Sequence, residues 1–142
     1  MTSPKLLPLL AAALLMDGAH AQREAVVKIR LVADGQTLHA TLADSPSARD
    51  FAALLPLTLT LRDHAGTEKI ADLPRALTRQ GAPAGAKPVP GMIAYYAPWG
   101  NLALFYRDFA WSPGLVPLGA FDGDVGLLAR RGVSKVRIER MP

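Results

Sequence analysis

The chain has 142 residues, a formal net charge of +4 and no cysteine. This length fits one domain, and half of the residues are apolar, as in a globular protein rather than a disordered tail. Without cysteine the chain has no disulfide, no thiol nucleophile and no lipid anchor attached through sulfur, so the domain has to fold on its hydrophobic core alone.

The positive charges are dispersed among acidic residues rather than gathered in one stripe. A nucleic-acid-binding domain would concentrate lysine and arginine on one face or along one helix. We therefore expect no nucleic-acid partner. The densest basic group stands near the C-terminus and consists of Arg130, Arg131, Lys135, Arg137 and Arg140.

The first 21 residues have the three parts of a secretory signal peptide. Lys5 supplies a positive start, an apolar run extends from Leu6 to Met16, and Ala19 and Ala21 are small residues at the positions that a signal peptidase inspects. We expect cleavage after Ala21 and export of residues 22–142 to the periplasm or the medium. No membrane attachment is expected afterwards, because no stretch reaches about 18 apolar residues. An uncleaved N-terminal anchor and a wrongly assigned start codon are the alternatives.

The exported part opens with apolar and polar residues in alternation on both sides of Asp34 and Gly35. Alternation indicates strands with one buried face, and Asp-Gly favours the two-residue turn that matches the twist of paired strands. The pattern predicts a β-hairpin over residues 26–42.

The period of the apolar residues then changes. Ser45 as a cap and Pro46 as the first helical residue predict a short helix that ends before Pro56. A strand over residues 57–63 follows, because leucines alternate there with polar side chains.

Residues 64–91 form an irregular segment with four prolines. Proline lacks the amide hydrogen that helices and strands need, so one short strand in "KIADLP" is the regular structure expected there. Long insertions in a compact domain often carry a function.

Seven of the nine aromatic residues lie between Tyr95 and Trp111. The segment around them predicts two strands joined by a turn over residues 98–101, where Gly100 and Asn101 tolerate a positive φ. A short strand after Trp111, a short helix in "DGDVGLLARRG" and a closing strand in "VSKVRIERM" complete the elements.

Seven or eight short strands and two short helices predict a mainly β domain. The helices do not alternate with the strands, which excludes a doubly wound parallel sheet. A closed β-barrel of about eight strands buries such elements without leaving free edges.

The segments "ARDFAALLPLTLTLRDHAGTEKIADLP", "GMIAYYAPWGNLALFYRDF" and "SPGLVPLG" occur in an order and at a spacing that resemble the small bacterial cyclophilin-like proteins. The resemblance extends from Val26 to Glu139 and implies a cyclophilin-type barrel with two helices. Active prolyl isomerases of this class carry a stretch like F-H-R-x-I-x-x-F-x-x-Q-G-G, with the arginine that binds the prolyl amide. This sequence has no such stretch, so the resemblance transfers no catalytic residue.

The candidate site lies beside the hairpin of residues 95–109. An aromatic cluster next to a loop rich in proline and glycine is typical of ligand clefts, although packing into a core would also explain each aromatic residue. Arginines near the cluster could act as hydrogen-bond donors, and Met92 could add to an apolar pocket. The candidate ligand-binding residues are Tyr96, Trp99, Asn101, Phe105, Arg107, Arg75 and Arg79.

Three hypotheses about function follow from this site. The first is an exported domain of uncharacterised activity that binds a peptide or a small apolar ligand. The alternative is a divergent peptidyl-prolyl isomerase acting on exported proteins, because twisting a prolyl amide needs an apolar pocket and a fixed donor such as arginine. The third is a structural or assembly role, and the sequence leaves the oligomeric state open.

Metal-dependent and hydrolytic chemistry are not expected. The exported part has two histidines, His39 and His64, and neither has a second histidine at ligand spacing. Nucleophile elbows, phosphate-binding loops and dinucleotide fingerprints are absent from the sequence. We therefore expect neither a metal nor a cofactor.

Overall fold

The structure is a computed structural model that describes residues 26–133 and 135–142. The signal peptide predicted for residues 1–21 lies outside the described residues, so its cleavage and the start of the domain at residue 22 stay predictions. No helix in the described part of the chain has the length and apolar character to cross a membrane.

Short strands account for most of the regular structure. The described residues contain eleven strands, one α-helix and one 3-10 helix. The helix α1 (Pro46–Ala52) lies between the second and third strands, and the 3-10 helix (Gly126–Ala129) lies before the last strand. The strands are β1 (Val27–Ala33), β2 (Gln36–Leu42), β3 (Leu57–Thr60), β4 (Arg62–His64), β5 (Glu68–Asp72), β6 (Gly85–Ala86), β7 (Met92–Tyr96), β8 (Asn101–Phe105), β9 (Ser112–Pro113), β10 (Leu115–Phe121) and β11 (Lys135–Arg140).

Nine of these strands form one antiparallel sheet that closes into a barrel. Their order is β3-β11-β1-β2-β10-β7-β8-β5-β4, and the two edge strands follow each other in the chain with Leu61 between them. One bent strand therefore pairs with β11 through its first half and with β5 through its second half. The barrel has eight strand positions around its circumference, which confirms the predicted mainly β barrel of about eight strands.

The local signals for the first hairpin and the helix are confirmed. Asp34 and Gly35 both have positive φ, at 51° and 73°, as the two-residue turn between β1 and β2 requires. The Ser45 hydroxyl accepts a hydrogen bond of 3.2 Å from the Ala48 amide, and Pro46 is the first residue of α1.

The second predicted helix is shorter than expected. "DGDVGLLARRG" forms only the 3-10 helix, whose start is held by the Gly126 amide donating to Asp124 Oδ1 at 3.0 Å. Glycines at Gly126 and Gly132 lower the helix propensity of the segment. A single turn is enough to bury Leu127 and Leu128.

Two hydrophobic clusters occupy the two faces of the sheet. The large cluster fills the barrel interior, where Tyr95 and Leu104 contribute from β7 and β8. The smaller cluster lies on the outer face of the same strands, so this hairpin is buried on both sides. We call the second group the outer cluster; it consists of Ile70, Ala94, Ala103, Phe105 and Leu115, with Ala86, Met92 and Tyr96 against it.

The irregular segment is tied to α1 through Arg75 and Thr78. Asp50 accepts a 2.7 Å hydrogen bond from the Thr78 amide and pairs with Arg75 Nη2 at 2.8 Å. The Arg75 guanidinium and then the Thr78 amide hold the pKa of the Asp50 carboxyl below its usual range. Further along, β6 pairs with β9, which brings residues 85–86 next to the loop that follows the aromatic hairpin.

Candidate ligand-binding site

A cleft of about 310 Å³ opens on the outer face of the barrel beside the β7–β8 turn. Its floor is the outer cluster, represented by Phe105 and Leu115, which are almost fully buried. Its walls come from β4, β5, the β7–β8 turn and the chain after β8. The cleft is therefore built where loops cover a rigid sheet, which is a common setting for ligand sites.

The rim of the cleft is made of exposed aromatic side chains. Trp99 is 58% exposed, Trp111 56% and Phe109 46%. Five large hydrophobic side chains are exposed in the described residues, and these three line this cleft. Exposed apolar surface gathered at one concave place, rather than scattered, is characteristic of a binding site.

Trp99 is fixed in place although it projects from a turn. Its ring meets the rings of His64 and Tyr96 edge to face, with centroids 5.3 Å apart in both pairs. The turn itself is closed by the Trp99 amide donating to the Tyr96 carbonyl at 3.2 Å, and Gly100 supplies the positive φ of 70°. A preordered indole loses little conformational freedom when a ligand packs on it.

The opposite wall depends on the irregular segment. The Phe109 amide donates to the Pro88 carbonyl at 3.3 Å, and β9 pairs with β6 through Gly85 and Pro113. Gly85 has no room for a side chain, because a Cβ there would stand 2.7 Å from Cζ2 of Trp111. The segment thus sets the position of the second tryptophan.

Two ionisable side chains enter the aromatic lining. Glu68 on β5 lies opposite His64 of β4 on one side and opposite Phe105 of β8 on the other. Burial in the cleft raises the pKa of the Glu68 carboxyl, while the charge of His64 and the Thr67 hydroxyl, which donates to Oε2 at 3.4 Å, lower it. Burial is the largest of these effects, so Glu68 is a partly desolvated carboxyl.

A polar network anchors the strands behind the cleft. The buried Lys69 ammonium contacts Asp63 Oδ2 at 2.8 Å and donates to the Arg130 carbonyl at 2.9 Å. Tyr106 donates its hydroxyl to Asp63 Oδ1 at 3.1 Å, and burial together with this bond raises the pKa of Tyr106. These groups satisfy one another and connect β4, β5 and the end of the aromatic hairpin.

The structure brings three of the predicted site residues together. Tyr96, Trp99 and Phe105 all line the cleft. Asn101 is buried within β8 instead, where its side-chain amide donates to the Leu102 carbonyl at 3.1 Å. Its side chain is not part of the lining.

The three predicted arginines stand elsewhere. Arg75 pairs with Asp50 of α1, Arg79 is exposed on the irregular segment, and Arg107 is exposed with its guanidinium 6.0 Å from the Tyr106 ring centroid. Within residues 26–133 and 135–142, no arginine lines the cleft.

Sequence reasoning did not assign the other seven of the ten lining residues, of which Phe109, Trp111, His64 and Glu68 matter most for the chemistry of the cleft. Phe109 and Trp111 belong to the aromatic segment and had a signal in the sequence, namely their closeness to Trp99. His64 and Glu68 had no such signal, because strand pairing between distant segments places them there.

The part of the chain that the structure describes contains no group of three or more His, Cys, Asp or Glu side chains placed to hold a metal ion. The cleft instead combines five aromatic rings on three sides with one carboxyl and one imidazole. Such a lining binds an apolar or flat group and adds one point of polar recognition.

Comparison with known proteins places this barrel in a family. The model of the cyclophilin-like family matches residues 31–139, which is most of the chain. The chain belongs to the cyclophilin-like family.

A solved structure agrees with the fold of this cyclophilin-like chain. The solution structure of a hypothetical protein from Archaeoglobus fulgidus superposes with a TM-score of 0.65 and shares 18% sequence identity. The match covers 82% of this chain and 96% of that protein. At this identity the likeness concerns the fold alone, and no curated protein matches the cyclophilin-like chain significantly.

Proposed function

We propose that this cyclophilin-like domain binds a peptide or a small apolar ligand in the cleft beside residues 95–109. The observation that carries the proposal is the clustering of Trp99, Phe109 and Trp111, three exposed aromatic side chains, around one concavity. Exposing these side chains to water is unfavourable by about 25 cal/mol per Å² of apolar area, and a ligand would remove that contact.

The two tryptophans of the chain make the proposal easy to test. Both line the cleft, so fluorescence excited selectively at tryptophan reports on this site alone. A peptide and metabolite screen followed by tryptophan emission and amide shifts should find ligands that saturate. The shifted amides should belong to the cleft lining. Emission and shifts that stay unchanged across a broad screen would contradict the proposal.

A pair of variants separates the cleft from the rest of the surface. Trp99→Ala should weaken a ligand found in the screen by on the order of tenfold or more, because central aromatic contacts dominate binding energy. Val89→Ala removes another exposed apolar side chain, one outside the lining, and should leave the affinity unchanged. Equal losses of affinity in the two variants would indicate that the ligand binds outside the cleft.

The isomerase alternative has less support than binding. Catalysis needs a donor aimed at the prolyl nitrogen, and no arginine lines the cleft in the described residues. A protease-coupled assay on an Ala-Pro peptide should therefore show no acceleration at micromolar protein. Acceleration that disappears in Arg75→Ala or Arg79→Ala would favour the enzyme instead.

We also propose that the domain is exported, on the pattern of residues 1–21. Mass spectrometry of the protein from fractionated cells should find it outside the cytoplasm with Gln22 as its first residue. An intact Met1 on cytoplasmic protein would contradict export.

Co-purification of a partner with the same material would favour the structural or assembly role.

A further inference from the structure

Glu68 differs from the other partly buried carboxylates in having no lysine or arginine paired with it in the described residues. Three acidic side chains are partly buried in the described residues, namely Asp50, Glu68 and Glu139. Asp50 pairs with Arg75, and Glu139 contacts both Arg30 and Arg137. Glu68 forms no salt bridge within that part of the chain, and its one side-chain hydrogen bond comes from the Thr67 hydroxyl.

The surroundings of Glu68 suit a cation. Trp99, Trp111 and Phe109 present exposed ring surfaces around the same cleft, and Tyr96 lies edge to face with Trp99. Aromatic faces attract cations through the ring quadrupole, and the attraction strengthens when water is excluded. A carboxylate next to several rings is the usual composition of a site for an organic ammonium group.

The size of the cleft argues for an organic cation rather than a bare metal ion. A volume of about 310 Å³ has room for on the order of ten water molecules. One carboxyl and one imidazole are also fewer oxygen and nitrogen ligands than metal sites supply. The aromatic rim fits instead the apolar stem or the methyl groups that such an ion carries.

We infer that the ligand of this cleft is an organic cation, an ammonium or guanidinium group on an apolar stem, which packs on Trp99 and Trp111 and pairs with Glu68. This inference rests on the proposed function and adds the charge of the ligand to it. The cation comes either from a free small molecule or from a lysine or arginine side chain of a peptide. His64 on β4 and Thr67 in the turn before β5 are polar groups that face Glu68, and the charge of Glu68 also reaches the Tyr106 hydroxyl.

Two ligands of the same shape and different charge test the inference. Choline and its neutral isostere 3,3-dimethylbutan-1-ol are titrated into the protein, with tryptophan emission as the readout. Choline should bind on the order of tenfold more tightly, because cation–π attraction and the carboxylate both favour the charged form. N-acetyl-lysine methylamide and its Nε-acetylated form make the same comparison for a peptide side chain. Tighter binding of choline would indicate a free small molecule as the ligand, and tighter binding of the lysine derivative would indicate a peptide side chain.

Variants locate the charge recognition. Glu68→Gln should weaken choline by on the order of tenfold and change the affinity for the alcohol by less than about twofold. Asp72→Asn removes an equal charge from the exposed end of the same strand and should change neither. Trp99→Leu keeps an apolar side chain but removes the ring, so it should reduce the preference for choline while Trp111 still reports binding.

The outcomes distinguish this inference from the proposed function. Equal affinity of choline and the alcohol, or no effect of Glu68→Gln, would contradict the inference that the ligand is a cation. The proposal that the cleft binds an apolar ligand would still stand. Binding of neither cationic probe at tens of millimolar would overturn it as well. Loss of every ligand response, from the broad screen too, would overturn the binding function itself.

Discussion

Glu68 is held in the folded protein with less water around it than its charge favours. Burial raises the pKa of its carboxyl, and neither His64 nor Thr67 fully offsets that effect. The folded protein therefore binds the Glu68 proton more tightly than the unfolded chain does. The contribution of Glu68 to the free energy of unfolding is therefore fully present below the ordinary glutamate pKa. It is lost as the pH rises through the raised pKa that Glu68 has in the folded protein.

Replacing Glu68 by glutamine should stabilise the protein at neutral pH. Glutamine keeps the shape and carries no charge to desolvate, so the melting temperature of Glu68→Gln should exceed that of the parent by a few degrees at pH 7. The difference should shrink as the pH falls to 4 and below, where the parent carboxyl is neutral. Thermal unfolding followed by circular dichroism across this pH range measures it.

Asp72→Asn serves as the control for that experiment. It removes one negative charge from the same strand at an exposed site, and its melting temperature should follow the parent closely. A parent protein that is more stable than Glu68→Gln at pH 7 would contradict the prediction. Residues that serve a binding site are often unfavourable for stability, because the site holds them partly desolvated. Replacing such a residue then stabilises the protein.

The sequence could indicate only those site residues that lie close to one another in the chain. Trp99, Phe109 and Trp111 are concentrated in one short segment, so their clustering is visible without a structure. Glu68 looks like an ordinary polar residue at the start of a strand. Its importance comes from the pairing of β5 with β8, which places Glu68 opposite Phe105 although the two residues are far apart in the chain.

Among the elements, the two-residue strands β6 and β9 have the largest effect on the site for their size. They form a small sheet of their own outside the barrel, and they fix Trp111 against Gly85. The hairpin of β1 and β2 could be predicted because Asp34-Gly35 and its alternating flanks are adjacent in the chain. The β6–β9 pair could not, because it has almost no repeating pattern and lies in segments rich in proline.

Gly85→Ala should disturb the cleft through this small sheet. The new Cβ would stand 2.7 Å from Cζ2 of Trp111 and 2.9 Å from Cα of Pro113, so β9 and the indole have to move. We expect a shifted tryptophan emission, a loss of ligand affinity and a destabilisation of about 1–3 kcal/mol. Fluorescence and urea unfolding measure these changes.

Gly123→Ala is the matched control for Gly85→Ala. No atom lies within 4 Å of a Cβ built on Gly123, and its φ is not in the left-handed region. Emission and unfolding free energy should stay as in the parent. Unchanged emission and stability in Gly85→Ala would contradict the close packing of Trp111 and β9 on Gly85.

At the scale of the whole molecule, the barrel leaves only its outside for a ligand. An eight-stranded barrel has an interior just wide enough for its own side chains, and the large cluster fills it here. The cleft is therefore formed by loops resting on the outer cluster. Binding there does not require the barrel to open, since the floor residues Phe105 and Leu115 are already packed.

The closure of the barrel depends on Leu61, which lies between β3 and β4 and is 3% exposed. Leu61→Ala should lower the free energy of unfolding by about 2–5 kcal/mol, because it leaves a cavity at the bend that joins the two edges of the sheet. Urea unfolding measures the loss. Thr60→Ala, at the exposed neighbouring position, should cost less than about 0.5 kcal/mol. Similar losses in both variants would contradict a special role of the bend.

The bend at Leu61 also affects how molecules of this protein meet one another. Within the described residues, β3 and β4 are the two edge strands of the main sheet, and each has one edge without a partner strand. The unpaired edge is four residues long in β3 and three residues long in β4. An average strand is five or six residues long, and the exposed charges of Arg62 and Asp63 stand on the shorter of the two. Long uncharged edges are the templates on which β proteins aggregate. We therefore expect concentrated solutions of the folded protein to resist the growth of intermolecular sheets.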